Sequence, residues 1–595
     1  MGEPQRNAVA QRAPQAEPLT GAQAVVQALV EHGVELVFGI PGGAVLPLYD
    51  AMHDAPLTHI LVRHEQAAAL AADGYARATG RVGVCMSTSG PGATNLITGL
   101  ATSYLDSVPV VAITGNVARS ALGTDAFQEA DTVGISMPVT KHNYLVLDPD
   151  DLPGVLREAF AVAASGRPGP VLVDIPRDVF AAPLSGGTGR LRPRRLGAIA
   201  SGGTELADGQ LAGLTEDRVL LAAELIAAAR RPVLYVGGGV ITAGAADALR
   251  RLAERARIPV TTTLMALGAV PGDHPLFLGM PGMHGAYAAN MALSETDCLV
   301  AVGARFDDRV TGKVSEFAPD AAIIHIDIDA AELGKVKTPH VSLATDARTG
   351  LEALLAAFDV RAGAEKDGPT FARRREWLER VDAWKREHPY RYDRDLAGRE
   401  LLPQAVIEEI HHATGGEALV VTGVGQHQMW AAMFYRYRRP RQFLTSGGLG
   451  TMGYGLPAAI GAKLALPEAQ VVCIDGDGSF QMNVQELATL AEHRLPVKVF
   501  IINNRCHGMV RQWQHLFYRR RFSASVFRHQ PDFVKVAEAY GVRGMRVDRP
   551  GELAATVREA LAHPGPVVVD CVVRQEENVL PMVPPGAALK AMLEG

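Results

Sequence analysis

The chain has 595 residues, of which 48% are apolar and 21% are charged, and its formal net charge is −6. This length is too great for one hydrophobic core and predicts about three or four globular domains. The small negative charge gives no reason to expect a nucleic acid or an anionic membrane as a partner, and no apolar run approaches the roughly 18 residues of a membrane span. The five cysteines are scattered without a disulfide or zinc pattern, so we expect a reducing compartment.

Residues 1–18 are polar, with Pro, Gln and Ala, and lack the apolar stretch of a signal peptide. Glu3 and Glu17 also argue against a transit peptide, because such peptides contain few acidic residues. We expect this segment to be a disordered extension of a cytoplasmic protein.

Three blocks of short apolar strands alternating with helical patterns follow, which is typical of α/β proteins. Each block predicts a domain with a central, mostly parallel sheet flanked by helices. The predicted order is a domain at 19–182, a linker at 183–216, a domain at 217–360, a helical connector at 361–400, a domain at 401–574 and a tail at 575–595 that could cover a site. The first block ends in PGPVLVDIP and the third in PGPVVVDCVV, which is a hint of duplication or a chance recurrence.

In the first block, ILVRHEQAAALAADGYARATG places Glu65 where a strand meets a long alanine-rich helix. Taken alone, Glu65 is a carboxylate that complements the positive end of the helix dipole. Further on, a glycine-rich turn in TSGPGATNLITGL starts another helix. Many phosphate loops share that pattern, so it is weak evidence by itself.

The third block contains VVCIDGDGSFQMNVQELATLAEHRLPVKVFIINN, two apolar strands joined by a helical crossover. Parallel strands bring their carboxyl ends to one edge of the sheet, so Asp477 and Asn504 could offer oxygens to one cation there. Gly476 and Gly478 would let the backbone approach a phosphate. This pattern predicts a magnesium and diphosphate site, although a plain turn and a plain strand end remain open from the pattern alone.

Together these pieces resemble the thiamine diphosphate (ThDP) enzymes, and residues 19–590 are most similar to the catalytic large subunit of acetohydroxyacid synthase (acetolactate synthase). The specific stretches are FGIPGGAVLPLYD, GTDAFQEAD, TKHNY, TTLMALGAVPGDHPLFLGMPGMHG, GARFDDRVTGK and GMVRQWQ. The resemblance implies the ThDP-binding fold: a pyrimidine-binding first domain, a central domain associated with FAD, and a third domain that binds diphosphate and Mg²⁺.

The implied reaction is decarboxylation of pyruvate and carboligation to a second pyruvate or to 2-ketobutyrate. The products are 2-acetolactate or 2-aceto-2-hydroxybutyrate, in the biosynthesis of branched-chain amino acids. In this family the Glu65 position hydrogen-bonds the aminopyrimidine ring and promotes the tautomer that activates the cofactor. The resemblance also implies active sites between subunits of a homodimer or a higher assembly, and a regulatory small subunit as a partner.

The resemblance assigns further residues to the cofactors. To ThDP it assigns Glu65, Gly425, Gln426, His427, Gly450, Met452, Gly476, Gly478, Ser479 and Met509. To Mg²⁺ it assigns the side chains of Asp477 and Asn504 and the backbone carbonyl of Cys506. To a structural FAD without net redox function it assigns Arg167, Gly237, Gly238, Gly239, Thr263, Leu264, Met265, His284, Gly285, Arg305, Asp327, Ile328 and Asp346.

A last group of residues is expected to shape the substrate pocket. The resemblance places Gly43, Phe127, Gln128 and Lys141 at the border of the active site. Arg309 would steer the carboxylate of the second 2-ketoacid, because a guanidinium matches a carboxylate bidentately. Trp513 would form an apolar wall that favours 2-ketobutyrate, by about 1–3 kcal/mol for one methylene. The alternatives are an ion pair of Arg309 with a neighbouring Asp, and ordinary packing for Trp513 and for Met452.

Three positions depart from the family pattern: His507 stands where Leu is most frequent, Gly423 where Asp is frequent, and Ala118 where many relatives have Pro. Related ThDP enzymes such as glyoxylate carboligase or pyruvate oxidase remain alternatives, as does a catalytically silent paralogue acting as an assembly partner. Glyoxylate carboligase lacks the activating Glu, whereas Glu65 is present here. A silent paralogue would be favoured by loss of Glu65, Asp477 or Asn504, and all three are present.

Overall fold

The computed structural model describes residues 18–185, 213–362 and 368–594. Almost all of the extension predicted to be disordered, and most of the linker predicted at 183–216, lie outside these ranges. Among the described residues, no helix combines the length and the apolar character needed to cross a membrane.

Three separate parallel sheets organise the described chain. The first is ordered β2-β1-β3-β4-β6-β5 and the third β13-β12-β14-β15-β17-β16, and the second is ordered β11-β10-β9-β7-β8. The first sheet contains β1 (Leu36–Gly39), β2 (Thr58–Leu61), β3 (Gly83–Ser87), β4 (Val110–Asn116), β5 (His142–Leu145) and β6 (Val171–Pro176). The second contains β7 (Pro232–Val236), β8 (Val260–Thr262), β9 (Cys298–Val302), β10 (Ala322–Asp327) and β11 (Val341–Ala344). The third contains β12 (Leu419–Thr422), β13 (Phe443–Leu444), β14 (Val471–Gly476), β15 (Lys498–Asn503), β16 (Arg543–Val547) and β17 (Val567–Val572).

Helices cover the faces of each sheet. Around the first sheet they are α1 (Gly21–Glu31), α2 (Leu46–Met52), α3 (Glu65–Thr79), α4 (Pro91–Asn95), α5 (Ile97–Leu105), α6 (Thr132–Ser136), α7 (Leu152–Ala164) and α8 (Arg177–Ala181). Around the second and in the connector after it they are α9 (Glu216–Ala228), α10 (Gly239–Thr242), α11 (Ala246–Ala256), α12 (Tyr287–Glu295), α13 (Asp308–Thr311), α14 (Ala347–Ala362), α15 (Pro369–Ala372), α16 (Arg375–Glu387) and α17 (Arg394–Ala397). Around the third they are α18 (Pro403–Ala413), α19 (Gln426–Phe434), α20 (Gly455–Ala465), α21 (Asp477–Phe480), α22 (Leu487–Glu492), α23 (Gly508–Phe517), α24 (Phe533–Ala539) and α25 (Pro550–Ala562).

The predicted fold class is confirmed, since every pairing within the three sheets is parallel. Central strands such as β3, β4, β14 and β15 are buried along their whole length, as expected where helices cover both faces. The first and third sheets share one strand order, in which each strand corresponds to the strand eleven later in the numbering. This shared topology agrees with the duplication suggested by their similar final strands.

Helices α3 and α20 join the first domain to the third. Helix α3 begins at Glu65, where the His64 ring accepts the Gln66 N–H at 3.1 Å, and it ends at Gly80 in the left-handed conformation. A Cβ added at Gly461 would lie only 1.9 Å from the carbonyl oxygen of Ala71, so the two helix backbones touch. The alanine-rich sequence of α3 therefore serves close packing.

Candidate active site

A cleft of about 1030 Å³ lies where the carboxyl ends of strands from the second and third sheets face each other. The segments after β12, β14 and β15 line one part of it, and the segments after β7, β8 and β9 line the other. Two first-domain loops, around Ser107 and Arg167, also border it. Ligands of open α/β sheets bind at these strand ends.

Most of the residues predicted for the cofactors and the substrate line this cleft. They are Arg167, Gly237, Gly238, Gly239, Thr263, Leu264, Met265, His284, Arg305, Arg309, Asp327, Ile328, Asp346, Gly425, Gln426, His427, Gly450, Met452, Gly476, Asp477, Gly478, Ser479, Asn504, Cys506, Met509 and Trp513. Six predicted residues do not line it: Gly43, Glu65, Phe127, Gln128, Lys141 and Gly285.

The third-domain wall of the cleft is shaped for an anion. Helix α19 begins after Gly425, whose φ of +153° is a conformation that favours glycine. The residues of its first turn line the cleft, and the N–H groups of a first helical turn have no partners within the helix. A Cβ at Gly476 would lie 2.7 Å from Nδ1 of His427, so only glycine leaves room for the ring. Burial lowers the pKa of His427 to about 3, which keeps the imidazole neutral. These features fit a diphosphate group.

The predicted metal ligands meet at the edge of the third sheet. Strands β14 and β15 are adjacent and parallel, with Gly476 opposite Ile502, so Asp477 and Asn504 follow neighbouring strand ends. The Asn504 amide nitrogen donates to Gln426 Oε1 at 3.0 Å, and its Oδ1 accepts the N–H of Cys506 at 3.3 Å. The oxygens of this pair suit Mg²⁺.

The Asp477 carboxyl is almost wholly buried, and its Oδ2 accepts a hydrogen bond from Gln530 at 2.6 Å. Burial raises the pKa of Asp477 to about 7. A divalent cation stabilises the ionised form, so metal binding and deprotonation of this carboxyl are coupled.

The second-domain end of the cleft has a glycine cradle. A Cβ at Gly237 would lie 2.1 Å from the carbonyl oxygen of Gly303, so the turn after β7 lies directly against the turn after β9. His284 borders the same region, and its Nε2 is buried without a hydrogen-bond partner among the described residues. Burial lowers the pKa of His284 to about 4. Glycine turns and neutral polar groups fit the extended shape of a dinucleotide.

Two arginines tie the first domain to the second beside this region. Arg167 donates to Ser107 at 2.8 Å and pairs with Glu332 at 2.9 Å. Arg305 donates to the carbonyl oxygen of Leu105 at 3.1 Å. Both guanidinium groups are fixed by protein partners and still border the cleft.

Arg309 and Trp513 lie in the cleft and also have the local contacts expected of the alternative interpretations. Arg309 pairs with Asp308 at 3.1 Å, but its side chain is 62% exposed, and such pairs are worth little. Its guanidinium is therefore available to a ligand carboxylate. Trp513 packs edge-on against Phe517, with ring centroids 6.1 Å apart.

Glu65 belongs to a second cluster, on the first sheet. Its Oε2 accepts a hydrogen bond from the Asn95 amide at 2.9 Å, and a Cβ at Gly92 would lie 3.5 Å from its Oε1. Gln128 lies against the same glycine-rich turn, in contact with Gly90. Phe127, beside it, is 89% exposed. Within one chain, this cluster and the cleft are separate.

Comparison with known proteins shows the family of this chain. Residues 19–135 match the N-terminal TPP binding domain of thiamine pyrophosphate enzymes, residues 219–354 the central domain, and residues 423–571 the C-terminal TPP binding domain. The chain is 52% identical over 584 residues to "Acetolactate synthase" of Mycobacterium bovis, covering 96% of this chain and 91% of the relative. It belongs to the acetolactate synthase large subunits.

Other members of the family are similar over nearly the whole chain. "Acetolactate synthase isozyme 2 large subunit" of Escherichia coli (strain K12) is 48% identical over 576 residues, covering 97% of this chain and 100% of the relative. "Acetolactate synthase large subunit" of Corynebacterium glutamicum is 50% identical over 579 residues, covering 96% of this chain and 90% of the relative.

Some contacts of this acetolactate synthase family member were not predicted from its sequence. Asn95, the partner of Glu65, lies inside the TSGPGATN stretch that drew attention for its glycines. Asp106 accepts the N–H groups of Gly447 at 3.0 Å and of Gly448 at 2.6 Å, and so holds the loop before Met452. No local pattern marks such a partner, because it is more than three hundred residues away along the chain.

The tail packs against third-domain residues at the cleft of this chain. Gln426 donates to the carbonyl oxygen of Glu577 at 3.1 Å, and Gln512 exchanges two hydrogen bonds with Val579, at 2.8 and 3.0 Å. Gln575 donates to the carbonyl oxygen of Asn504 at 3.1 Å. The tail therefore holds Asn504, one of the predicted metal ligands, and its partner Gln426.

Two of the predicted residues that do not line the cleft, Lys141 and Gly285, have contacts typical of a structural function. The Lys141 amine donates to carbonyl oxygens at the end of α7, among them that of Ser165 at 2.7 Å, and burial lowers its pKa to about 8. Gly285 lies in a turn so tight that a Cβ there would lie 2.6 Å from the Gly282 nitrogen.

Of the departures from the family pattern, His507 lines the cleft with its ring against Phe527 at 4.7 Å, and nothing in the structure explains Ala118.

Proposed function

We propose that this chain is the catalytic subunit of an acetolactate synthase. It decarboxylates pyruvate and joins the remaining two-carbon unit to a second pyruvate or to 2-ketobutyrate. The observation that carries this proposal is the combination of full-length similarity to acetolactate synthases with the presence of Glu65, Asp477 and Asn504 at strand ends of the first and third sheets.

The third domain holds the diphosphate and the metal. The first turn of α19 and the backbone at Gly476 bind the diphosphate oxygens. Asp477, Asn504 and the carbonyl oxygen of Cys506 are the protein ligands of Mg²⁺, and the diphosphate supplies further oxygens. The glycine positions and the oxygen donors in the cleft support this assignment.

ThDP, when bound, supplies the nucleophilic carbon on which a 2-ketoacid loses its carboxylate. The chain supplies orientation and proton handling. Glu65 holds a proton at the pyrimidine ring nitrogen, and Asn95 fixes the carboxylate by donating to Oε2. Met452, which borders the cleft, would support the bound cofactor as an apolar wedge.

The proposed active site needs two chains. Glu65 and its neighbours lie outside the cleft that contains Asp477, so one copy provides the pyrimidine-binding cluster and another copy provides the diphosphate site. A homodimer is therefore the smallest active unit, and larger assemblies contain the same pair.

Arg309 and Trp513 select the acceptor. The exposed guanidinium of Arg309 binds the carboxylate of the second 2-ketoacid. The Trp513 ring contacts its alkyl group, and the larger buried area favours 2-ketobutyrate over pyruvate by about 1–3 kcal/mol. The result is preference rather than exclusion.

FAD occupies the second-domain end of the cleft in this proposal. The glycine cradle at Gly237 and the neutral His284 support an extended ligand there, and Arg167 contributes from the first domain. The flavin has a structural function and undergoes no net redox change. Since the relatives are named large subunits, we also propose a regulatory small subunit as partner.

Product analysis tests the proposed function. Purified protein is incubated with pyruvate, ThDP, Mg²⁺ and FAD, with and without 2-ketobutyrate. We expect 2-acetolactate alone in the first case and both acetohydroxyacids in the second. Absence of both products would refute the proposal, and reduction of the flavin during turnover would favour a pyruvate oxidase instead.

A further inference from the structure

Asp475 is a buried carboxylate just behind the wall of the cleft, two residues before the proposed metal ligand Asp477. Its side chain is fully inaccessible to solvent. Oδ1 accepts the N–H of Gly476 at 2.9 Å, and Oδ2 has no hydrogen-bond partner among the described residues. Burying a carboxylate is costly, so its presence at this position requires an explanation.

Asp475 and Gly423 compete for one volume. Thr422 is paired with Ile474 across the parallel strands β12 and β14, so residues 423 and 475 are the next neighbours at the strand ends. A Cβ added at Gly423 would lie 1.8 Å from Oδ1 of Asp475. No side chain fits at 423 while the Asp475 carboxylate stays where it is, and the Ser479 hydroxyl, whose oxygen would lie 2.4 Å from the same Cβ, must rotate away as well.

The carboxylate contacts three segments of the diphosphate site. The Ser479 hydroxyl lies beside the carboxylate, since a Cβ at Gly423 would lie 2.4 Å from Ser479 Oγ as well as 1.8 Å from Asp475 Oδ1. The Ser479 hydroxyl oxygen accepts the N–H of Gly453 at 3.0 Å, which links the loop after Met452 to the turn after β14. Nε2 of His427, in the first turn of α19, lies 3.4 Å from Oδ1. The position of this one group therefore fixes the relative positions of the surrounding backbone.

We propose that Asp475 is a positioning residue of the diphosphate site, and that this volume must hold one carboxylate, which residue 475 or residue 423 can supply. This deepens the proposed function and rests on it. One carboxylate is required, and two are excluded.

Exchange of the carboxylate between the two strands tests this proposal. The variants are Asp475→Ala, Gly423→Asp, the double variant Gly423→Asp/Asp475→Ala, and its amide control Gly423→Asn/Asp475→Ala. Two quantities are measured for each: the dissociation constant of ThDP in the presence of Mg²⁺, by calorimetry, and the thermal unfolding midpoint of the cofactor-free protein.

We expect each single variant to weaken ThDP binding by about ten-fold or more, because a buried hydrogen-bonding group is removed or crowded. Gly423→Asp should also lower the midpoint, since it places two carboxylates in one volume. The double variant should bind ThDP within about three-fold of the wild type, which is a large positive coupling between neighbouring sites. The amide control should stay as weak as Asp475→Ala.

If the losses of ThDP affinity in the two single variants add up in the double variant, the proposed exchange of the carboxylate between residues 475 and 423 is wrong. It is also wrong if the double variant fails to fold although Asp475→Ala folds. Equal recovery by the amide control would overturn the requirement for a carboxylate. The midpoints of the cofactor-free protein do not depend on turnover. A failure of the proposed function, visible in the products of the wild type, is therefore distinguishable from a failure of this inference.

Discussion

At the scale of single residues, the contact between Glu65 and Asn95 is central to the proposed mechanism. Glu65 has two structural features: it is the first residue of α3, and it presents a carboxylate to the short helix α4, whose last residue is Asn95. Its position at the start of α3 was predicted from the sequence. Its partner Asn95 was not, because the contact crosses thirty residues and depends on how the turn folds.

The variant Glu65→Gln tests the proton function of Glu65 apart from its size and its hydrogen bonding. The amide keeps the size of the side chain and can still hydrogen-bond, but it cannot hold the proton, so we expect turnover to fall by about a hundred-fold or more. ThDP affinity, measured by calorimetry, should change little because the diphosphate site is intact. An unchanged turnover rate would refute the proton function.

Burial of His59 gives a pH-dependent contribution to stability. Burial lowers its pKa to about 4, and its Nε2 lies 2.9 Å from the Tyr49 hydroxyl. Between the folded pKa and the ordinary value of about 6.5, the unfolded chain binds more protons, so stability is lost as pH falls through this window.

The variant His59→Gln lacks this titration. Compared with the wild type, we expect it to lose less free energy of unfolding between about pH 7 and about pH 5. Urea titrations of both cofactor-free proteins at the two pH values measure the difference. The other titrating groups are shared and cancel, so equal losses in the two proteins would contradict the expected contribution.

At the scale of elements, the strands were the most predictable part of the chain. The apolar runs Val471 to Ile474 and Val497 to Ile502 predicted two strands, and the structure has β14 and β15 there, both buried along their length. The two-residue strand β13 has no such signal. Packing between distant helices was also not predictable, since nothing local indicates that α3 meets α20 backbone to backbone.

Gly461 tests this helix contact. A Cβ there would lie 1.9 Å from the Ala71 carbonyl oxygen, so Gly461→Ala should lower the free energy of unfolding by about 1–3 kcal/mol despite the better helix propensity of alanine. Gly551→Ala in α25 is the matched control, since a Cβ there meets nothing within 4 Å. Equal effects of the two changes in denaturant unfolding would argue against close contact of α3 and α20.

At the scale of the whole molecule, the two halves of the proposed active site do not meet within one chain. The sequence identified both halves and their common cofactor through its resemblance to ThDP enzymes. The prediction that the two halves come from different subunits rests on that resemblance alone. The structure adds a physical reason, because Glu65 and Asp477 belong to separate surfaces of one chain.

The most direct test of this arrangement mixes two inactive proteins, Glu65→Gln and Asp477→Ala, after joint dissociation and reassembly. In a mixed dimer, one site combines both defects and the other is intact. We predict recovery of acetolactate formation to about a quarter of the wild-type rate at equal amounts of the two chains. The double variant Glu65→Gln/Asp477→Ala, mixed with either single variant, should recover nothing. Mixtures of the two single variants that remain inactive, although mixed dimers have formed, would contradict the shared active site.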